Sequence, residues 1–321
     1  MIDNASLDHL RAMASAMSSA TPMSADMLAG LIDDIERDGP VARLINDHPA
    51  AGSPLFCIRV LAGVRWLVLR GDAPELAAHL RTLSNDQGRP EYDLRTWELF
   101  RATVLSNPER IRQALDRPVQ QHQPGRAAWL LEGLTMVAPE GGRIQLLELG
   151  ACAGLNLLFD RYRWFGQDWQ WGDRNSPVRL TSKGRRPGDL EVITRAGCDL
   201  SPRDAGDPDD AMILRSFIPS ERETDQWDLD DALALAARHA IRVDEADAVE
   251  WLTYELDLLP SDGSAYTVVW HSLFWWYLAP EDHRAIERIL AAAARRMPLA
   301  RVSFEPPSLT GMPRLDISVY S

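Results

Sequence analysis

The sequence contains few cysteines and no cluster of them. Cys57, Cys152 and Cys198 are odd in number and far apart, and the chain has no Cys-x-x-Cys pair or Cys/His group. Thiols spaced in this way build neither a disulfide framework nor a zinc site. We therefore expect no bound metal and a protein of a reducing compartment.

Basic residues are scarce relative to acidic ones. The chain has 34 Lys and Arg against 47 Asp and Glu, which gives a formal net charge of -13. The acidic residues are spread over the whole length, so the electrostatic field opposes close approach to polyanions. We expect no nucleic-acid partner.

Long hydrophobic runs are absent as well. A membrane-spanning helix needs about 20 consecutive apolar residues, and no stretch of this sequence reaches that length. The first residues include Asp3 and Asp8, where a secretory signal needs positive charge. These features predict a cytoplasmic protein with no membrane partner, and they leave the oligomeric state open.

The first part of the chain has helical periodicity. From Ser6 to about Pro139, apolar residues recur at spacings of three and four, as in Leu28, Leu31 and Ile32. This spacing predicts an all-helical domain over residues 1–140. The most apolar of these helices, between Leu55 and Leu69, is expected at its centre.

The second part of the chain alternates between two patterns. Short apolar runs end in acidic or small residues and are followed by helical segments, which is typical of a βαβ arrangement. We predict a Rossmann-like α/β domain over residues 141–321, with an inserted hairpin near 164–190. The predicted strands are Ile144 to Leu149, Glu191 to Cys198, Ala240 to Val243, Tyr266 to Trp270 and Leu299 to Phe304.

The segment IQLLELGACAGLNLLFDRY carries the strongest signal. An apolar strand reaches Glu148, then Gly150 and Gly154, and passes directly into a predicted helix. Glycines there allow a ligand to approach backbone N–H groups at a helix N-terminus. The same glycines also suit a plain strand-to-helix turn. A dinucleotide fingerprint would need glycines at positions 150, 152 and 155, but Cys152 and Leu155 stand at the last two.

This spacing resembles the first motif of class I S-adenosylmethionine-dependent methyltransferases. Later segments resemble the next motifs in the same order: Asp199-Leu200-Ser201-Pro202 after the second strand and Asp247-Ala248 after the third. The resemblance implies a methyltransferase-like Rossmann sheet and S-adenosylmethionine as cofactor. The implied cofactor-binding residues are Glu148, Gly150, Ala151 and Gly154 for the methionine end, Asp199 and Leu200 for the ribose, and Asp247 and Ala248 for the adenine.

Two of these aspartates have simpler explanations. Asp199 precedes Ser-Pro, where an aspartate is also a common turn residue. Asp247 precedes a predicted helix and would equally serve as its N-cap. The residues alone leave both alternatives open.

The fourth strand points to the reaction itself. It ends in His271, followed by the aromatic run FWWY at 274–277. A histidine at the carboxyl edge of an α/β sheet lies where ligands bind, and it can take a proton near neutral pH. We predict His271 as the catalytic base, although a structural histidine bonded to a backbone carbonyl fits equally well. The predicted substrate-pocket residues are His122, Arg126, Trp275, Tyr277 and Glu305.

The chain also resembles an uncharacterised bacterial family, the domain of unknown function 2332. The resemblance rests on the run from Glu148 to Tyr162, the Asn175-Ser176-Pro177-Val178 turn, Gly197 to Pro202, and Asp207 to Ala211. That family has no established reaction. From the resemblance to methyltransferases, we expect an enzyme that methylates an oxygen or nitrogen nucleophile of a small acceptor. The alternative is a non-catalytic protein that binds an adenosine-bearing ligand.

Overall fold

The computed structural model describes residues 2, 4–53, 55–84, 92–138, 142–260, 263–308 and 311–320. The chain divides into two compact units. One comprises Met1–Gln121 together with Ala211–Gln226, and the other comprises His122–Asp210 together with Trp227–Ser321. We refer to them as the helical unit and the sheet unit.

Helices occur along the whole chain. The α-helices are α1 (Asn4–Met17), α2 (Pro22–Glu36), α3 (Pro40–Ile45), α4 (Phe56–Leu69), α5 (Pro74–Ser84), α6 (Leu94–Ser106), α7 (Pro108–Leu115), α8 (Ala127–Val137), α9 (Pro208–Ser216), α10 (Glu223–Ala236), α11 (Ala248–Leu258) and α12 (Pro280–Ala293). Short 3-10 helices span Pro49–Gly52, Pro124–Arg126, Leu155–Arg161 and Trp275–Tyr277. Within the described residues, no helix is both long and apolar enough to cross a membrane.

The helical unit is organised around α4. This helix contacts α2, α5, α6 and α7, because its apolar residues leave almost no polar face. Val60, Val64 and Leu67 are fully buried in a core that also includes Leu28 and Phe100. Burial of side chains of this size contributes about 1.5–3 kcal/mol each relative to exposure. The helical N-terminal region predicted from the periodicity is therefore confirmed.

The strands form two sheets. The strands are β1 (Arg143–Leu149), β2 (Arg163–Phe165), β3 (Gln170–Gly172), β4 (Arg179–Thr181), β5 (Glu191–Asp199), β6 (Val243–Glu245), β7 (Tyr266–Ser272), β8 (Leu299–Glu305) and β9 (Arg314–Tyr320). Among the described residues, six of them form a sheet in the order β6-β5-β1-β7-β8-β9. All neighbours in it are parallel except β8 and β9, which are antiparallel. The α/β class and the mostly parallel sheet are as predicted.

Helices cover both faces of the six-stranded sheet. Leu147, Val269 and Leu299 face one side, in a core shared with α11 and α12. Alternate residues of a strand face opposite sides. On the other side α8 lies against β8 and β9, and Trp129 stacks on Phe304 with ring centroids 4.8 Å apart. The carboxyl ends of the parallel strands are thus the edge at which loops can build a site.

The segment between β1 and β5 holds a small sheet of order β3-β2-β4. Strands β2 and β3 form an antiparallel hairpin, and β4 pairs with β2 in parallel. Trp164, at the centre of β2, is fully buried. The insertion near 164–190 therefore folds as a small sheet with a buried tryptophan at its centre.

Two local predictions differ from the structure. Residues 155–161 form a 3-10 helix rather than an α-helix, because the carbonyls of Leu155 and Leu157 accept from the Tyr162 hydroxyl and the Arg195 guanidinium. Strand β6 begins at Val243, where its pairing with Gly197 starts. The division between the compact units falls after Gln121, and α8 packs on the sheet.

Candidate functional site

The turn after β1 has an unusual backbone. Gly150, Cys152 and Gly154 all have positive φ angles, of 68°, 54° and 68°. Only glycine adopts this region without cost, so Cys152 is held there by its surroundings. The Ala151 amide donates to the Cys198 carbonyl at 2.9 Å, and the Gly154 amide donates to the Ala151 carbonyl at 2.7 Å. The turn is therefore fixed against the end of β5, and Ala151 is fully buried.

Asp199, the last residue of β5, joins three strand ends. Its Oδ2 accepts from the Cys152 amide at 3.0 Å, and its Oδ1 accepts from the Ser201 amide at 2.9 Å. Its carbonyl accepts from the Ala246 amide, just after β6, at 3.1 Å. The next side chain, Leu200, is 74% exposed. Asp199 thus faces the β1 turn and also holds the turn that follows β5.

Asp247 caps a helix, which is the simpler of the two explanations that the sequence left open. It is the N-cap of α11, and its Oδ1 accepts from the amides of Val249 and Glu250 at 2.9 and 3.2 Å. Its side chain is on the surface, and Ala248 begins the helix as a buried residue. A carboxylate in this position offsets the positive end of the helix dipole.

Glu148 is a buried carboxyl group on β1. Its Oε1 accepts from the Asn156 side-chain amide at 2.9 Å and from the Trp270 indole at 3.1 Å. Its Oε2 is buried and has no hydrogen-bond partner among the described residues. Burial raises the pKa of Glu148 to about 8. The group therefore changes charge near neutral pH.

A buried guanidinium interacts electrostatically with this carboxyl group. Arg126 donates from Nη1 to the Ser272 carbonyl at 3.1 Å and to the Ser272 hydroxyl at 3.0 Å. Burial lowers its pKa, while the charges of Glu148 and Glu305 raise it. Burial, together with the charge of Arg126, lowers the pKa of His122 to about 3. His122 is therefore neutral, and Arg126 supplies the local positive charge.

His271 and Glu305 form a hydrogen-bonded pair at the ends of β7 and β8. His271 Nδ1 lies 2.7 Å from Glu305 Oε1. The same carboxylate accepts from the Phe274 amide at 3.0 Å. His271 Nε2 is buried and has no hydrogen-bond partner among the described residues. Since a carboxylate only accepts, Nδ1 carries the proton and Nε2 is the basic nitrogen. Burial lowers the pKa of His271 below its ordinary value, against the effect of Glu305.

Aromatic rings stack on this pair. The Trp275 ring is parallel to His271 at 4.6 Å on one side and to His283 at 4.5 Å on the other. Tyr277 is 47% exposed at the end of the same 3-10 helix. Arg126 interacts electrostatically with Tyr277. Trp275 therefore fixes the plane of the imidazole, and Tyr277 extends toward solvent.

Phe274 covers the β1 turn. A Cβ atom placed on Gly150 would lie 2.4 Å from Phe274 Cδ2, so the ring lies directly on the Gly150 backbone. The preceding residue, Leu273, has φ of 51°, a conformation that costs a branched residue roughly 1–2 kcal/mol. The left-handed Leu273 thus turns Phe274 back over the loop.

The structure brings Arg126, Glu148, Asp199, His271 and Glu305 to one edge of the sheet, which we call the carboxyl-edge site. Electrostatic interactions link Arg126 to Glu148 and Glu305, and Glu148 to Asp199. Within the described residues, no three His, Cys, Asp or Glu side chains come together as metal ligands. The sequence pattern assigned no role to Asn156, Trp270 or Ser272. For Asn156 a signal was present, because it lies two residues after Gly154.

The comparison with protein families gives one result. A family model described as an uncharacterised protein conserved in bacteria (DUF2332) matches residues 8–321. The chain belongs to this family. No curated protein and no solved structure matches the chain. The family description assigns no reaction, so the function has to be argued from the geometry of the carboxyl-edge site.

Proposed function

We propose that the sheet unit binds S-adenosylmethionine and transfers its methyl group to an oxygen or nitrogen nucleophile of a small acceptor. The strand order supports a methyltransferase-like Rossmann fold. When the parallel strands are counted in chain order, their order in the sheet is third, second, first, fourth, fifth. The direction in which strands are added therefore reverses between β1 and β7. In open α/β sheets, ligands bind at the carboxyl ends of the strands where the order reverses.

The observation that carries the proposal is the contact between the Asp199 carboxylate and the Cys152 amide at 3.0 Å. It makes the tip of β5 and the turn after β1 into one corner. Each carboxylate oxygen of Asp199 accepts one backbone N–H and has a lone pair for a second donor. The two ribose hydroxyls of an adenosine are such a pair of donors. The residues at this corner therefore fit the cofactor.

The charges nearby suit the amino-acid part of the cofactor and a charged acceptor. Glu148, with its buried Oε2, would hold an ammonium group. A bound cation would favour the ionised carboxylate and lower the raised pKa of Glu148. Arg126 would hold a carboxylate of the acceptor, for which a guanidinium is well shaped.

His271 would accept the proton of the acceptor at Nε2, while Glu305 holds Nδ1 and the tautomer. S-adenosylmethionine, when bound, supplies an electrophilic methyl group. Most of the rate enhancement would come from holding acceptor and methyl group in line, with proton removal a smaller contribution.

A non-catalytic adenosine-binding protein is the second candidate. It is favoured by the Phe274 ring, which lies on the Gly150 backbone, and by Cys152, whose side chain stands in the turn where a glycine would leave space. Both features narrow the room above the loop. A protein that only senses an adenosine-bearing ligand tolerates this better than an enzyme that must seat two substrates.

Calorimetric titration with S-adenosylhomocysteine tests the binding step. We expect wild-type protein to bind, and Asp199→Ala to lose at least tenfold in affinity because the ribose hydroxyls lose their acceptors. Asp168→Ala is the matched control, since that aspartate is exposed in the loop between β2 and β3. Absence of wild-type binding at millimolar ligand would exclude both candidate functions.

Labelling separates the two candidates. Wild-type protein is incubated with a cell extract and a donor carrying a labelled methyl group, and labelled products are sought. A labelled small molecule that is missing with Asp199→Ala supports methyl transfer. Binding without any labelled product supports the non-catalytic protein.

A further inference from the structure

A second concave surface lies on the small sheet. It is an open cleft of about 400 Å³, lined by Arg163, Gln170, Trp171, Gly172, Arg174 and Arg186. These residues come from β2, β3, the turn after β3 and the loop after β4. None of them belongs to the carboxyl-edge site. We call this surface the arginine cleft.

The arginine cleft gathers positive charge without acidic residues in its lining. Arg174 and Arg186 are exposed, and neither makes an ion pair or hydrogen bond within the part of the chain that the structure describes. Arg163 donates to the Gln170 side chain, and its guanidinium lies 5.6 Å from the centre of the Phe165 ring. The whole chain has a net charge of -13, so three guanidinium groups on one concave surface are a local exception. They favour binding of an anion.

Neighbouring charges do not neutralise this surface. Arg179 pairs with Arg163 in the β2–β4 register, which puts both side chains on the same face of the sheet. Asp173, next to Arg174 in sequence, is outside the lining and accepts from the Asn175 amide at 2.8 Å. The lining of the cleft therefore has positive groups only.

The backbone of the cleft is closely constrained. Gly172 has φ of 85°, and a Cβ atom there would lie 1.9 Å from the Tyr162 carbonyl oxygen, so the position requires glycine. The Trp171 indole donates to the Gly188 carbonyl at 3.2 Å and stacks on Phe159 with a centroid distance of 6.1 Å. The first of these contacts ties β3 to the loop that carries Arg186. The arginines thus project from a fixed frame.

We propose that the arginine cleft binds the phosphoryl group of a phosphorylated small molecule. A phosphate ester has up to two negative charges and three terminal oxygens, which match several guanidinium groups better than a single carboxylate does. A volume near 400 Å³ lies within the range of about 300–1,000 Å³ usual for small-ligand pockets. The proposal does not depend on the function of the carboxyl-edge site.

Calorimetric titration of the full chain with pyrophosphate, at constant low ionic strength, tests this. We expect wild-type protein to bind, and the double variant Arg174→Ala/Arg186→Ala to lose at least tenfold in affinity. Arg185→Ala is the matched control, because Arg185 is an exposed arginine of the same loop outside the lining. It removes one positive charge from the same loop and leaves the lining intact, so it should bind as the wild type does. Both altered arginines of the double variant are exposed, so thermal unfolding should show it folded.

Citrate distinguishes the chemistry of the ligand. At the same ionic strength, citrate should bind more weakly than pyrophosphate to the wild type. The proposal is overturned by absence of pyrophosphate binding at millimolar concentration, or by equal affinity of the wild type and the double variant. It is overturned also by tighter binding of citrate than of pyrophosphate.

Discussion

Glu148 is a carboxyl group in a place that favours its neutral form. The side chain is 1% exposed, and desolvation outweighs its hydrogen bonds from Asn156 and Trp270 and the charge of Arg126. A buried ionised carboxylate is costly unless fully paired. Protonation removes the charge of the group, and with it most of the cost of burying it.

This environment predicts a pH dependence of stability. With the pKa of Glu148 raised from 4.5 to about 8, the folded protein keeps a proton that the unfolded chain releases between these values. The contribution of Glu148 to the free energy of unfolding is therefore complete below the lower pKa value. It decreases as pH rises toward the higher value, by at most about 1.4 kcal/mol per pH unit. Glu148→Gln has no such proton. Its stability relative to wild type, from urea unfolding, should increase from about pH 5 to about pH 8 and then level off.

The matched control is Glu245→Gln, which changes an exposed residue at the end of β6. Its stability difference from wild type should stay constant over the same range. A constant difference for Glu148→Gln as well would contradict the raised pKa.

The segment from Leu273 to Ala279 determines what can reach the β1 turn. Leu273 is left-handed, Phe274 lies on Gly150, and the Phe274 amide is held by Glu305. Its 3-10 helix then places Trp275 on His271. A ligand can therefore reach the Gly150 backbone only if the Phe274 ring is displaced. The same segment also holds His271, the candidate catalytic base, through Trp275.

Removing that ring should improve binding of an adenosine-bearing ligand. We expect Phe274→Ala to bind S-adenosylhomocysteine about tenfold more tightly than wild type, equivalent to about 1.4 kcal/mol, because the wild-type ring must be displaced first. Trp276→Ala, which alters an exposed ring of the same segment, should leave the affinity unchanged. Calorimetry measures both. Weaker binding by Phe274→Ala would instead show that the ring contacts the ligand directly.

The sequence predicts some elements of this site better than others. The turn at Gly150 and the aspartate at the end of β5 have local signals, since the turn needs glycine and Asp199 follows an apolar run. Their contact then follows from parallel pairing of β1 with β5. The position of Phe274 has no local signal, because it depends on a left-handed leucine. The N-cap role of Asp247 could be foreseen only as one of two alternatives.

At the scale of the whole molecule, one segment packs with residues that are distant from it in sequence. Residues 211–226 lie between strands of the sheet unit in sequence, yet they belong to the helical unit. Arg65 of α4 donates to the Arg215 carbonyl at 3.3 Å and to the Ser220 hydroxyl. Glu221 accepts from the Ser24 amide, at the start of α2, at 3.0 Å. The sequence does not predict this, because separations of 150 residues or more leave no periodic trace.

These contacts predict where the segment becomes less protected. Arg65 is largely buried, and burial lowers its pKa to about 10, so it remains charged at neutral pH. Arg65→Ala removes two donors, one to the Ser220 hydroxyl and one to the Arg215 carbonyl, which still accepts from the Ile218 amide, at a cost of about 1–3 kcal/mol. Hydrogen exchange at the amides of Phe217 and Ile218, which are bonded within the segment, should quicken by at least tenfold. The control is Arg70→Ala, which alters a more exposed ion pair at the end of the same helix. Unchanged exchange in Arg65→Ala would show that apolar contacts of Ile213 and Phe217 with Ala62 hold the segment without the guanidinium.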